Sequence, residues 1–141
     1  MLSSSTVYAI RASIYIAANK KSEYISISEI SRQLGISFHF LTKILQKLTQ
    51  DKLMRSYRGP NGGVAFTKPL NKIFLSDIVD SVETNPIFED CILGIPKCGI
   101  GKPCPLHDEW GAVRSRLRHK FENSNLADMA KRVSELEERL K

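Results

Sequence analysis

The residues best suited to chemistry lie together in one short stretch, Cys91–His107. It contains every cysteine of the protein, Cys91, Cys98 and Cys104, and His107 follows three positions later. Four of the six prolines and three glycines lie in or beside this stretch, so neither a helix nor a strand is expected to run through it. Because few of its side chains can be buried, the sequence predicts that a bound metal or cluster orders the loop through thiolate and imidazole ligands.

Several chemistries are compatible with this loop. Three cysteines fit a disulfide framework poorly, which leaves free surface thiols as the simplest alternative. Structural zinc usually binds paired Cys-x2-Cys hooks, whereas the gaps here are six and five residues; a Cys3His zinc site stays possible. Iron-sulfur clusters accept irregular spacing and use thiolates and, in some proteins, histidine. A thiol that reacts directly is a further alternative, whereas a Cys/His catalytic pair is disfavoured because no orienting acid lies at motif spacing.

The charge of the chain is unevenly distributed. The 141 residues suit one compact unit with an appendage and carry a net charge of +6. Residues 1–75 hold 11 Lys+Arg against 3 Asp+Glu, a net charge of +8, whereas residues 76–141 hold 10 against 12, a net charge of −2. A basic half of this size is typical of a segment that binds a polyanion. With neither a signal-like start nor a run of 18 apolar residues, we expect a cytoplasmic protein that does not enter the membrane.

Hydrophobic periodicity and capping residues predict three helices and a hairpin in the basic half. The predicted helices are residues 4–18 with Ser4 or Ser5 as N-cap, 27–34 with a capping box at Ser26, and 38–50 capped by Ser37; the predicted strands are 53–57 and 64–67. A hairpin directly after a helix-turn-helix is a winged helix. The predicted fold class is therefore mainly α with a small β wing.

The outward side of the third helix and the tip of the wing are the predicted DNA-binding surfaces. His39, Thr42 and Lys43 are placed to reach base edges in the major groove. Arg58, on the glycine-rich tip, is placed to enter the adjacent minor groove, and the backbone amides of Gly62 and Gly63 are placed to approach phosphates. The full predicted set is Ser37, His39, Thr42, Lys43, Lys47, Arg58, Asn61 and Gly62.

The second half of the chain is predicted to contain three helices around the cysteine loop. A short helix begins at Ser76 and continues to about Glu83, and a long helix spans residues 106–121. The last helix is capped by Asn125 and carries an apolar stripe at Leu126, Met129, Val133, Leu136 and Leu140.

The long helix is the predicted dimer interface. The chain offers it little to pack on, and a winged helix that reads a palindromic operator needs two-fold symmetry, so a second copy is expected to cover its apolar stripe. The stripe consists of Trp110, Val113, Leu117 and Phe121. The predicted organisation is a DNA-binding domain over residues 1–75, a connecting helix and cluster loop over 76–105, and dimerisation helices over 106–141.

Five stretches of the chain resemble a known family, the Rrf-type bacterial winged-helix regulators that include IscR, NsrR, RirA and CymR. They are residues 8–12, residues 30–45 with the Gly35-Ile36-Ser37 turn, the wing tip 58–63, residues 76–79, and Pro103-Cys104-Pro105-Leu106-His107. The likeness covers nearly the whole chain. It implies a dimeric transcription factor, not an enzyme, that binds double-stranded operator DNA and senses iron-sulfur status, redox state or nitric oxide through a cluster.

The resemblance also implies a ligand set. Cys91, Cys98 and Cys104 match the thiolate ligands, and His107 matches the histidine of the 2Fe-2S branch. The 4Fe-4S branch takes an acidic residue from the partner's first helix, where this chain reads Thr6-Val7-Tyr8, so a 2Fe-2S cluster is favoured over 4Fe-4S. The first cysteine gap is six residues where five is usual, and Thr42-Lys43 replaces an acidic residue and glutamine, so no operator sequence is carried over. The alternative is a winged-helix regulator with a thiol-reactive or zinc-bound loop and no iron-sulfur cluster.

Overall fold

Helices dominate the chain in a computed structural model that describes residues 2–19 and 22–133. The elements are α1 (Ser4–Ala18), α2 (Ile27–Leu34), α3 (Phe38–Gln50), β1 (Met54–Tyr57), β2 (Gly63–Phe66), a 3-10 turn (Leu70–Lys72), α4 (Leu75–Val82), α5 (His107–Glu122) and α6 (Leu126–Val133). This order confirms the predicted winged-helix class. Leu136 and Leu140, predicted in the last helix, lie outside the described residues, as do the other positions of 134–141.

Serine caps set the helix-turn-helix. The hydroxyl of Ser26 accepts a hydrogen bond from the amide of Glu29 at 3.1 Å, and that of Ser37 accepts one from Phe40 at 3.1 Å. Each bond satisfies an amide that the first turn of a helix leaves without a partner. The predicted bounds of α2 and α3 are confirmed.

The predicted bounds of α1 are confirmed, but its predicted cap was wrong, and so was the predicted start of α4. Ser3, not Ser4 or Ser5, caps α1, because Ser3 is extended and its hydroxyl accepts from the amide of Thr6 at 3.3 Å. Helix α4 begins at Leu75 rather than Ser76, because the Asp77 carboxylate accepts from the amide of Phe74 at 2.9 Å and fixes the first turn one residue earlier.

The wing is an antiparallel pair that extends to a third segment. Strand β1 pairs with β2, with Met54 opposite Phe66 and Tyr57 opposite Gly63. Ile25, in the α1–α2 linker, exchanges backbone hydrogen bonds with Val64 at 3.1 and 2.9 Å. A Cβ atom on Gly63 would lie 2.0 Å from the carbonyl oxygen of Ile25, so glycine permits this close pairing and anchors the wing to the helices.

The core lies between α1, α3, α4 and α6. Ile30, Leu41 and Ile78 are fully buried, and so is Leu126 at the start of α6. The amide of Leu126 donates to the carbonyl of Ile73 at 2.9 Å, which returns the chain to the winged domain after α5. Asn125 caps α6 as predicted, because its side-chain oxygen accepts from the amide of Asp128 at 2.9 Å.

Helix α5 differs from the other α-helices because none of its 16 residues is buried. At a rise of 1.5 Å per residue it extends about 24 Å. Within residues 2–19 and 22–133, no helix is both long and apolar enough to cross a membrane.

Candidate metal centre and nucleic-acid interface

The three cysteines meet in the loop between α4 and α5. Their sulfur atoms all lie within 4.8 Å of one another, and the Sγ atoms of Cys91 and Cys104 are 3.5 Å apart. The amide of Cys104 donates to the sulfur of Cys98 at 3.4 Å. All three thiols are free and half-buried. The loop therefore presents three sulfur ligands to one point, although the first and the last are thirteen positions apart in sequence.

His107 begins α5 directly beside this group. Its Nδ1 atom lies 3.3 Å from the sulfur of Cys98. The ring also lies against Gly99, where a Cβ atom would be 2.4 Å from the imidazole Cε1 atom. The lack of a side chain at Gly99 thus makes room for the imidazole next to the sulfur group.

The thiols of this group differ in acidity. A hydrogen bond with the backbone of Ile95 is the main cause that lowers the pKa of Cys91 to about 7. Burial, followed by the interaction with Cys98, raises the pKa of Cys104 to about 11. Cys91 is therefore substantially ionised near neutral pH, whereas Cys104 would lose its proton when a cation binds.

This donor set fits a metal ion or a cluster. Thiolate and imidazole are the ligands of structural zinc and of histidine-containing iron-sulfur centres. A cavity of about 380 Å³ opens beside Cys91, Cys98 and His107, and Trp110 and Arg114 of α5 form its far side. The loop thus combines a suitable ligand set with space next to it.

Two side chains of α5 hold the backbone that leads into Cys91. The indole Nε1 atom of Trp110 donates to the carbonyl of Asp90 at 2.8 Å. The Arg114 guanidinium donates to the same carbonyl at 2.9 Å and also to the carbonyl of Glu89. Arg114 was not among the predicted site residues. Its spacing of seven residues from His107 and four from Trp110, which places all three on one helix face, is the signal that could have identified it.

A further contact set connects the loop and α5 to α4. The Arg118 guanidinium lies 5.2 Å from the ring centroid of Phe88, which precedes the cysteines, and 4.0 Å from the carboxylate of Asp80 on α4. Phe88 packs edge-on against Phe121 with ring centroids 5.6 Å apart. Arg118 also pairs with Glu122, one turn later on α5, at 2.7 Å. The loop is therefore attached at its start to α5, and α5 approaches α4 where Arg118 lies near Asp80.

The predicted dimer residues are only partly covered within one chain. Trp110, Leu117 and Phe121 are half-buried, and Val113 is 47% exposed. Leu106, the residue before α5, is 44% exposed. One side of α5 thus carries apolar surface that the same chain leaves accessible to solvent.

Helix α3 presents the predicted major-groove residues to solvent. His39, Lys43 and Lys47 are exposed. Thr42 is half-buried, and its hydroxyl donates to the carbonyl of Phe38 at 2.7 Å. Ser37 serves as the N-cap and is itself exposed.

The wing tip presents the other predicted DNA-binding residues. Arg58 and Asn61 are exposed, and the amide of Gly62 donates to the carbonyl of Gly59 at 3.0 Å to form the turn. A cleft of about 480 Å³ separates α3 from the wing and is lined in part by Thr42 and Arg58. Helix α3 and the wing therefore border one cleft, with Arg58 on its wing side.

A winged helix followed by a loop that brings three cysteines together is the architecture of a class of transcriptional regulators. The family model described as "Rrf2: Iron-dependent Transcriptional regulator" matches residues 2–132. The chain therefore belongs to the Rrf2 family, which is a family of transcriptional regulators.

Relatives and solved structures agree with this assignment. The chain is 39% identical over 122 residues to protein aau3 of Rhizobium meliloti, covering 86% of this chain and 77% of that protein. It is 30% identical over 132 residues to an Aquifex aeolicus protein provisionally named an HTH-type transcriptional regulator, covering 92% and 91%.

The similar structures share the fold at low sequence identity. CymR, the global cysteine regulator of B. subtilis, superimposes with a TM-score of 0.79 at 21% identity, covering 93% of this chain and 96% of CymR. IscR of T. potens superimposes with a TM-score of 0.74 at 21% identity, and the match covers 96% of this chain and 90% of IscR. At this identity the likeness establishes the winged-helix fold.

Proposed function

We propose that this protein is a homodimeric, DNA-binding regulator whose operator affinity depends on an iron-sulfur cluster held by Cys91, Cys98, Cys104 and His107. The observation that carries the proposal is the approach of three sulfur atoms to within 4.8 Å, with the His107 imidazole 3.3 Å from one of them. A 2Fe-2S cluster suits a ligand set of three thiolates and one imidazole. When bound, such a group supplies a centre that responds to oxidants, nitric oxide or iron supply by changing its state or leaving the protein.

The chain's own residues would couple this site to DNA binding. Arg114 and Trp110 fix the backbone before Cys91, while His107 fixes the end of the loop at the start of α5. Arg118 connects the same region to Asp80 of α4. An ordered loop then holds α5 at one angle to the winged domain, and in a dimer this angle sets the distance between the two recognition helices. A coupling free energy of about 1 to 3 kcal/mol would change operator affinity roughly 5- to 150-fold.

The proposed organisation assigns DNA binding to residues 1–75, sensing to residues 76–105 and dimerisation to residues 106–141. In the dimer, the second copy would cover the apolar surface that Trp110, Val113, Leu117 and Phe121 of α5 still expose, while Trp110 keeps its hydrogen bond to the Asp90 carbonyl. Burial of this remaining apolar surface is the available driving force. His39, Thr42 and Lys43 would read base edges, with Arg58 in the minor groove. Since binding would neutralise about six to ten phosphates, affinity should fall steeply between low and high salt.

A second candidate is a regulator that senses oxidants through its thiols alone. The specific observation in its favour is the 3.5 Å separation of the Cys91 and Cys104 sulfur atoms, which is short enough for a modest movement to bring them into a disulfide. In this mechanism hydrogen peroxide would oxidise the Cys91 thiolate to a sulfenic acid. The Cys104 thiol would then attack the sulfenic sulfur, and the sulfenic hydroxyl would leave with the thiol proton as water, which completes the disulfide. A zinc ion on the same ligands would instead leave the loop without a redox role.

Anaerobic purification followed by visible absorption and by assays of iron, sulfide and zinc per chain tests the proposal. We expect a brown protein with about two iron and two sulfide per chain. The colour should be lost in Cys98→Ala and His107→Ala and kept in the control His119→Ala, which removes an exposed histidine at the other end of α5. A colourless protein with one zinc, or with no metal after reconstitution, would contradict the cluster.

A further inference from the structure

The outward surface of α3 divides into two rows of different chemistry. Residues four positions apart lie one above the other on a helix. One row is basic or titratable throughout and consists of His39, Lys43 and Lys47. The neighbouring row carries no charge and consists of Phe38, Thr42 and Gln46.

Phe38 begins the uncharged row with an exposed ring. It is the first residue of α3 and is 53% exposed, although Phe40, two residues later, packs edge-on against Tyr8 with ring centroids 5.7 Å apart. The first turn of α3 therefore directs one phenylalanine into the protein and leaves the other on the face predicted to meet DNA. A single exposed apolar residue is common on protein surfaces and needs no explanation by itself.

The rest of the uncharged row, Thr42 and Gln46, presents a methyl group and an amide. The Thr42 hydroxyl hydrogen is engaged with the carbonyl of Phe38 at 2.7 Å, so the side chain has a methyl group, but no free hydrogen, to offer a ligand. Thr42 and Gln46 also line the 480 Å³ cleft between α3 and the wing, together with Tyr57 and Arg58. The uncharged row thus runs from an apolar end to an amide, along the side of α3 that faces the wing.

We infer that this row selects A·T base pairs, with Phe38 and Thr42 against the C5-methyl group of a thymine and Gln46 paired with an adenine. The inference rests on the proposed function, since it requires α3 to enter the major groove. The thymine methyl is the apolar group that bases display there, and a glutamine amide matches the N6 and N7 atoms of adenine. Residues at the start of a recognition helix contact base edges, which is the position of Phe38.

The charge around the row favours DNA over an apolar protein partner. Lys43 and Lys47 flank the row on one side and Arg58 on the other, in a half of the chain with a net charge of +8 from 11 Lys+Arg and 3 Asp+Glu. The phosphates on both sides of a DNA groove would pair with these cations. An apolar protein surface would instead bury them without partners, which is unfavourable.

The test begins with selection of duplexes from a randomised DNA pool by the full-length protein. In the selected duplex, each thymine is then replaced by deoxyuridine, which removes the methyl group alone. For the wild type we expect about a fourfold loss of affinity at one position per half-site, the effect of one apolar carbon. For Phe38→Ala the same replacement should cost clearly less than it does in the wild type, because only the Thr42 methyl group remains, and Phe38→Leu should show an intermediate loss. Gln46→Ala should lose its preference for adenine, worth roughly 5- to 150-fold.

Lys47→Ala is the matched control on the same helix. It should weaken binding to all duplexes alike and reduce the slope of log affinity against log salt by about one. Far-UV circular dichroism checks that each variant remains folded. If deoxyuridine affects the wild type and Phe38→Ala equally, the inference is overturned while DNA binding stands. If no duplex binds in a salt-dependent way, the proposed function fails, and the inference fails with it.

Discussion

Replacement of Arg114 by alanine is expected to weaken metal binding by the loop about 10- to 150-fold. The Arg114 guanidinium donates to the carbonyls of Glu89 and Asp90, immediately before Cys91. Hydrogen bonds from a charged donor contribute about 1.5 to 3 kcal/mol each. Because this guanidinium is partly exposed, we count its two hydrogen bonds together as one, which gives about 1.5 to 3 kcal/mol. Each 1.4 kcal/mol corresponds to about a factor of ten in affinity.

The assay uses reduced, metal-free protein under anaerobic conditions. Titration with Co²⁺ produces an absorption band from thiolate ligands, and competition with a chelator gives the affinity. Arg116→Ala is the control, because Arg116 is an exposed arginine on the same helix. The urea midpoint should not change in either variant, since α5 has no buried residue. Equal Co²⁺ affinities in Arg114→Ala and wild type, or an equal loss in Arg116→Ala, would refute the role of Arg114.

Three further predictions concern the wing, the core and the contact between the start of α1 and the end of α4. Gly63→Ala should destabilise the wing, because a Cβ atom there would lie 2.0 Å from the Ile25 carbonyl oxygen; urea unfolding measures the loss, and an unchanged midpoint would contradict the pairing. Leu41→Ala should lower the free energy of unfolding by about 2 to 5 kcal/mol, because the side chain is fully buried, and a change below about 1 kcal/mol would show that the core is wrongly assigned. Burial raises the pKa of Glu83, but hydrogen bonds led by the one from the Ser3 amide outweigh it, so the pKa lies below its ordinary 4.5. The stability that Glu83 contributes is thus present above pH 4.5 and lost as the pH falls through the lowered pKa. Glu83→Gln should remove this part of the acid sensitivity, which thermal unfolding between pH 3 and 7 measures.

Local signals explain what the sequence could predict of the fold. The bounds of α2 and α3 followed from Ser26 and Ser37, because an N-cap hydrogen bond joins residues three positions apart. The pairing of Ile25 with Val64 was missed, because a backbone ladder between segments 39 residues apart requires no particular side chain. The choice of Ser3 over its neighbours as the cap of α1 depended on backbone conformation in a run of three serines.

The sequence predicted that the three cysteines and His107 lie close together, but it did not reveal which residues hold the backbone of the loop. Sequence spacing brought the three cysteines and His107 into one loop, and the structure places their ligand atoms together. The role of Arg114 was missed because its partners are backbone carbonyls 24 and 25 residues earlier, which no side-chain pattern reveals. Only its position on the same helix face as His107 and Trp110 pointed to the loop. The burial of Leu126 in the core could not be predicted either. The apolar stripe of the last helix fits a dimer interface as well as it fits a core, so only tertiary packing decides between the two.

The central claim is that the state of the cysteine loop controls DNA affinity. It is tested most directly by fluorescence anisotropy with one selected duplex and one anaerobic preparation, measured before and after the metal centre is removed with a chelator, at a fixed salt concentration. We predict a change in affinity of roughly 5- to 150-fold. The change should disappear in Cys98→Ala, which leaves the winged domain intact. Equal affinities before and after removal, with salt-dependent binding preserved, would contradict the account and leave the loop without a role in DNA recognition.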